Sequence, residues 1–103
     1  MNKTKIKNTD HFNLLRKIDK NKNKSQRELA KDLGFSLGKL NYCLRELKKK
    51  GLIKIKNFRK NPKKLNYFYY LTPEGISTKT TLTINFMKKK MKEYDELKKE
   101  LEN

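Results

Sequence analysis

Ser25-Gln26-Arg27-Glu28-Leu29-Ala30-Lys31-Asp32-Leu33-Gly34-Phe35-Ser36-Leu37-Gly38-Lys39-Leu40-Asn41-Tyr42-Cys43-Leu44-Arg45-Glu46-Leu47 decides the reading of this chain. Ser25 followed three residues later by Glu28 is a capping box, so a helix starts there. Leu29 and Leu33 mark its apolar face, and Gly34 supplies the left-handed residue that ends it. Phe35 plugs the turn. Ser36 caps a second helix whose buried face is Leu40, Cys43, Leu44 and Leu47. Ala30 is small where the two helices cross. Two capped amphipathic helices joined by a short glycine-containing turn form a helix-turn-helix.

Upstream, residues 1–8 read as a basic arm without apolar periodicity. Thr9 or Asp10 caps a first helix whose core stripe is Phe12, Leu15 and Ile18. Downstream, Lys48-Lys49-Lys50 is a basic last turn closed by Gly51. The period then changes from 3.6 to 2: Leu52-Ile53-Lys54-Ile55-Lys56-Asn57-Phe58 alternates apolar and polar residues after its first position, as a half-buried strand does. The segment Arg59-Lys60-Asn61-Pro62-Lys63-Lys64-Leu65-Asn66 is a positive turn. Tyr67-Phe68-Tyr69-Tyr70-Leu71 pairs back as a second strand. Two strands around a basic loop after such a helix make a wing.

Thr72-Pro73-Glu74 restarts a helix, with Thr as N-cap, Pro at the first helical position and Glu against the positive dipole end. One long helix then runs to the end of the sequence. Ile84, Met87, Met91, Tyr94 and Leu101 on it follow a heptad a/d spacing that Lys98 interrupts. That seam fits pairing with a second copy; the alternative is a helix folded back on its own domain. The expected organisation is therefore a basic arm (1–8), a helix-turn-helix domain with a two-stranded wing (9–72) and a C-terminal dimerisation helix (73–103). The fold class is mainly α, with a small β component.

Charge points to a polyanionic partner. The 103 residues carry a formal net charge of +17. Five acids against two lysines at 93–103 leave +20 on residues 1–92, a field that attracts phosphate. Composition alone is ambiguous, because lysine outnumbers arginine 24 to 4, as an AT-rich coding sequence also yields. The helix-turn-helix spacing breaks the tie in favour of nucleic acid. On the second helix Gly38, Tyr42 and Arg45 lie opposite the leucine stripe, with Ser36, Lys39 and Asn41 at its flanks. Arg45 can take guanine and Asn41 adenine bidentately. Lys39 and, in the wing, Arg59, Lys60, Lys63 and Lys64 would meet phosphates or the minor groove.

Other classes find less support. With 34% hydrophobic residues, no stretch approaches the roughly 20 apolar residues of a membrane span. No secretory pattern opens the sequence, and the single cysteine excludes an internal disulfide, so a cytoplasmic, nucleoid-associated location is expected. Cys43 falls on the core side of its helix, a structural thiol rather than a redox sensor. His11 stands alone, and no nucleophile, base or carboxylate pair forms a catalytic constellation, so no enzyme, metal or cofactor is expected. Among Tyr67, Phe68, Tyr69 and Tyr70, core filling under the wing is favoured over a base-stacking platform.

The helix from Ser36 to Leu47, followed by Lys50-Gly51-Leu52-Ile53 and then Leu71-Thr72-Pro73-Glu74-Gly75, resembles the winged-helix MarR-type transcriptional regulators. Leu40-Asn41-Tyr42-Cys43-Leu44, Lys54-Ile55-Lys56-Asn57-Phe58-Arg59, Tyr69-Tyr70-Leu71-Thr72-Pro73, Lys90-Met91 and Glu93-Tyr94 are similar to a short subgroup associated with exopolysaccharide gene clusters. The resemblance runs from about Asp10 to Glu102. It implies a homodimer on an inverted-repeat operator in double-stranded DNA. Only one helix follows the wing here, whereas longer members build their dimer domain and phenolic-ligand pocket from additional helices, so the resemblance does not carry an effector site over to this chain. Two other classes stay open: a sequence-independent nucleic-acid binder, architectural or RNA-associated, and an adaptor that works through its C-terminal helix.

Overall fold

Ser25 and Ser36 set the frame. The Ser25 hydroxyl accepts from the Glu28 amide, and the Glu28 carboxylate accepts in return from the Ser25 amide, completing the capping box. Hydrogen bonds donated to it by the Ser25 amide and then the Ser25 hydroxyl hold the Glu28 carboxyl below its usual pKa range. Gly34 stands at φ 70°, where a side chain would be strained. Its amide and that of Phe35 close the first of the two helices on Lys31 and Ala30. Ser36 accepts from the Lys39 amide at 3.0 Å and opens the next helix.

The computed structural model describes residues 8–20, 24–56 and 68–102. Its elements are helices α1 (Asn8–Lys20), α2 (Gln26–Leu33) and α3 (Leu37–Lys49), strands β1 (Ile53–Lys56) and β2 (Phe68–Leu71), and helix α4 (Pro73–Glu102). The strands pair antiparallel, with Ile53 opposite Leu71 and Ile55 opposite Tyr69. The expected arm and the wing tip, including Arg59, Lys60, Lys63, Lys64 and Tyr67, lie outside the described residues.

The core forms where α1, α2, α3 and the sheet meet. It holds Leu14, Leu15, Ile18, Leu29, Ala30, Leu40, Cys43, Leu44, Leu47, Ile53 and Tyr69. Every apolar residue expected on the inner face of α3 is buried, while Leu33 and Phe35 pack against the core only partly. Phe68 is half-buried and Tyr70 is exposed, so the aromatics of β2 divide between core and outer face.

Helix α1 departs from expectation in two ways. It reaches back to Asn8, so Thr9 and Asp10 lie within it rather than capping it. The Asp10 carboxylate faces Lys39 across to α3 at 3.2 Å, engaged in an ion pair. Leu14 is also fully buried, off the expected stripe, because α1 packs against α2, α3, α4 and β2 together.

Helix α4 has two regimes. Its first half packs on the globular part: the Phe86 ring stacks on Phe12 at 4.7 Å, Lys79 pairs with Asp19, and Leu82 touches the core. From Met87 to Glu102 every residue is exposed. The packing therefore loosens near Phe86 rather than at the Thr72–Pro73 junction. Among the described residues no helix is long and apolar enough to cross a membrane.

Candidate nucleic-acid interface

Burying Leu40, Cys43, Leu44 and Leu47 fixes the rotation of α3, since side chains recur about every 100°. What remains turned outward is Gly38, Tyr42, Arg45, Lys48 and Lys49, all exposed, with Asn41 half-buried at the edge. Tyr42 keeps 47% of its surface accessible. Lys48 and Lys49 border the same exposed depression as Tyr42 and Arg45. Lys48, three residues from Arg45, belongs to this face; the sequence reading placed it only in a basic last turn. A second cleft, about 250 Å³ in volume, opens beside Asn41 and Arg45 and is floored by Gln26, Ile55 and Tyr69.

Gly38 has no internal reason to be glycine. A Cβ built there meets only the Ser36 hydroxyl oxygen, at 4.0 Å. Glycine inside a helix costs roughly 0.5–1 kcal/mol relative to alanine. The gap it leaves faces outward, where an incoming surface can come close to the helix backbone.

Lys39 is held within the fold. Its ammonium lies 3.2 Å from Asp10 and 4.3 Å from the centre of the Phe35 ring. Contact with a phosphate through Lys39 requires leaving that carboxylate. The other outward cations, Arg45, Lys48 and Lys49, have no salt-bridge partner in the described structure.

Two further groups were singled out from the sequence. Cys43 is fully buried, and burial pushes its thiol above the usual range, so it stays protonated and a poor nucleophile. His11, on α1, faces the end of α3 and α4, and its Nε2 is buried without a hydrogen-bond partner among the described residues. Burial, then the Lys50 charge, lowers its pKa, against smaller opposing effects of Glu46 and Asp10. No group of three or more metal-ligating side chains forms among the described residues.

A family model described as winged helix-turn-helix DNA-binding matches residues 11–54, from α1 to β1. The fold is a winged helix-turn-helix. Solved structures match a larger share of the chain. Staphylococcus aureus MarR in complex with salicylate and kanamycin is 21% identical with a TM-score of 0.69, over 79% of this chain and 53% of that one. A mutant of S. aureus MepR is 20% identical with a TM-score of 0.74, over 88% and 66%. Streptococcus pneumoniae FabT in complex with DNA is 20% identical with a TM-score of 0.66, over 85% and 59%. This winged helix-turn-helix thus spans about half to two thirds of the length of those chains. No curated protein matches the sequence significantly.

Within this fold α3 is the second helix of the helix-turn-helix, and the β1–β2 pair forms the base of the wing. Gln26 and Tyr69 carry the wing base on α2 through a buried hydrogen bond at 2.6 Å. No sequence pattern announced that contact, because neither residue belongs to a periodic motif.

Proposed function

We propose that this chain is a MarR-type transcriptional regulator that binds double-stranded DNA through α3 and the wing. The supporting observation is the outward face of α3: Tyr42 and Arg45 exposed, Asn41 at the edge, and open space at Gly38, above a dry leucine stripe. Arg45 and Asn41 read base edges, Tyr42 contacts a thymine methyl or a phosphate, and Ser36 presents the helix N-terminus to the backbone. Arg59, Lys60, Lys63 and Lys64 of the wing, with Lys39, anchor phosphates. The FabT complex contains DNA on the same fold, which supports this assignment.

A homodimer, joined through α4 at Ile84, Met87, Met91, Tyr94 and Leu101, places two such readers on an inverted repeat with half-sites about 34 Å apart. The subgroup resemblance adds the narrower reading that the regulated genes serve exopolysaccharide production. Selection of bound sequences from a random duplex pool, with sizing of the free protein, tests this. An enriched inverted repeat supports it. Equal retention of all duplexes assigns the chain to charge-driven, sequence-independent binding instead, and negligible DNA affinity at low salt assigns it to the adaptor class.

A further inference from the structure

The distal half of α4 carries an apolar stripe that no other described residue covers. Ile84, Met87, Met91, Tyr94, Leu97 and Leu101 are 47–88% exposed. Phe86 and Leu82, the side of α4 that meets the globular part, leave the helix in a different direction, so the stripe is free to meet something else. Charge along this half is split into blocks. Lys88, Lys89, Lys90 and Lys92 come first, followed by Glu93, Asp95 and Glu96.

We propose that α4 pairs antiparallel with α4 of a second copy, with the two-fold axis between Lys92 and Glu93. This rests on the reading that the chain dimerises through α4, and adds the direction and register. The stripe is self-complementary about that point. Ile84 then faces the partner's Leu101, Met87 the partner's Lys98, and Met91 the partner's Tyr94. Each layer joins an a to a d position, as an antiparallel seam does.

Charge selects this direction over the parallel one. Turned head to tail, the lysine block lies along the partner's acidic block, and Lys88 on the seam's flank comes beside the partner's Asp95. A parallel pair also offers one attraction, Lys90 to the partner's Asp95. However, it stacks lysine block on lysine block and forces Lys98 against the partner's Lys98 within the seam, a repulsion between neighbouring like charges. A two-fold axis across the helices also makes the interface isologous and closed. In this register Glu102 lies opposite the partner's Thr83, near where α4 begins to pack on its own globular part. At 1.5 Å per residue, the two Lys79 positions stand about 40 Å apart along the paired helices, the scale of one DNA turn.

Two measurements test the register on the full chain. Nitroxides placed by Glu102→Cys, with Cys43 buried and unreactive, report the distance by pulsed electron resonance. An antiparallel pair separates them by about 28 Å along the axis, whereas a parallel pair leaves them roughly the 10 Å interaxial distance apart. In sedimentation, Lys88→Glu and Asp95→Lys each weaken the dimer about tenfold, and the double variant restores it. A dimer with short label distances, or one rescued by pairing Asp95→Lys with Lys90→Glu instead, overturns the antiparallel register while leaving dimerisation standing. A monomer at all concentrations overturns both.

Discussion

The side-chain amide of Gln26 donates to the Tyr69 hydroxyl at 2.6 Å, inside the core, where both residues are more than nine-tenths buried. It ties the wing base to α2 beneath the cleft beside Asn41 and Arg45. Tyr69→Phe therefore leaves a buried Gln26 amide with its hydroxyl partner gone, at a cost of about 1–3 kcal/mol. Thermal unfolding of the variant should show a matching fall in Tm. A Tm unchanged within error would mean that another acceptor takes over the amide.

Gly75 is the second point of close approach. A Cβ there would stand 2.0 Å from the Leu52 carbonyl oxygen, a backbone atom without a flexible end to yield. Gly75→Ala gains about 1 kcal/mol of helix propensity but forces α4 off the β1 entry, with overpacking costs of about 1–3 kcal/mol. The net expectation is a lower urea midpoint. A higher midpoint would show that the junction relaxes freely.

Arg45 and Lys63 should separate by kind of contact. On the proposed function, Arg45→Ala costs about 1–3 kcal/mol on operator and flattens the preference for operator over random duplex. Lys63→Ala weakens binding to every duplex alike and reduces the salt slope by about one. Titrations on both duplexes at several salt concentrations distinguish the two. Equal losses on operator and random DNA for Arg45→Ala would remove it from base readout.

His11 gives the fold a pH dependence. Burial and Lys50 favour the neutral imidazole, so the folded state binds the proton less readily than the unfolded chain. Stability is then constant above the unfolded value of about 6.5 and falls as pH drops below it toward the folded value. Between pH 7 and 5.5 the wild-type Tm should decline, and His11→Leu should flatten that decline. Parallel curves for the two proteins would place the sensitivity elsewhere.

Much of this was legible in the sequence, for a local reason. Caps and turn residues act within a few positions, so Ser25, Glu28, Gly34, Ser36, Thr72 and Pro73 marked the helix boundaries. The inner face of α3 followed from period alone. The contacts that escaped notice join distant segments. Leu14 is buried because α1 is enclosed on more than one side, and Phe86 stacks on Phe12 across the chain. Asp10, in the first turn of α1, is engaged by Lys39 on another helix. At the candidate interface, the outward set on α3 was readable from rotation. Its boundary with Gln26 and Tyr69 was not, because cross-element hydrogen bonds leave no periodic trace.

Thr72 occupies a junction with two duties. Its hydroxyl donates to the Gly51 carbonyl at 2.6 Å and accepts from the Gly75 amide at 3.0 Å, while its own amide donates to the Leu52 carbonyl. One oxygen atom thus fastens the exit of α3 and the root of α4 together. The angle at which the long arm leaves the helix-turn-helix is set there like a pinned joint, and swinging the arm drags the end of α3 with it.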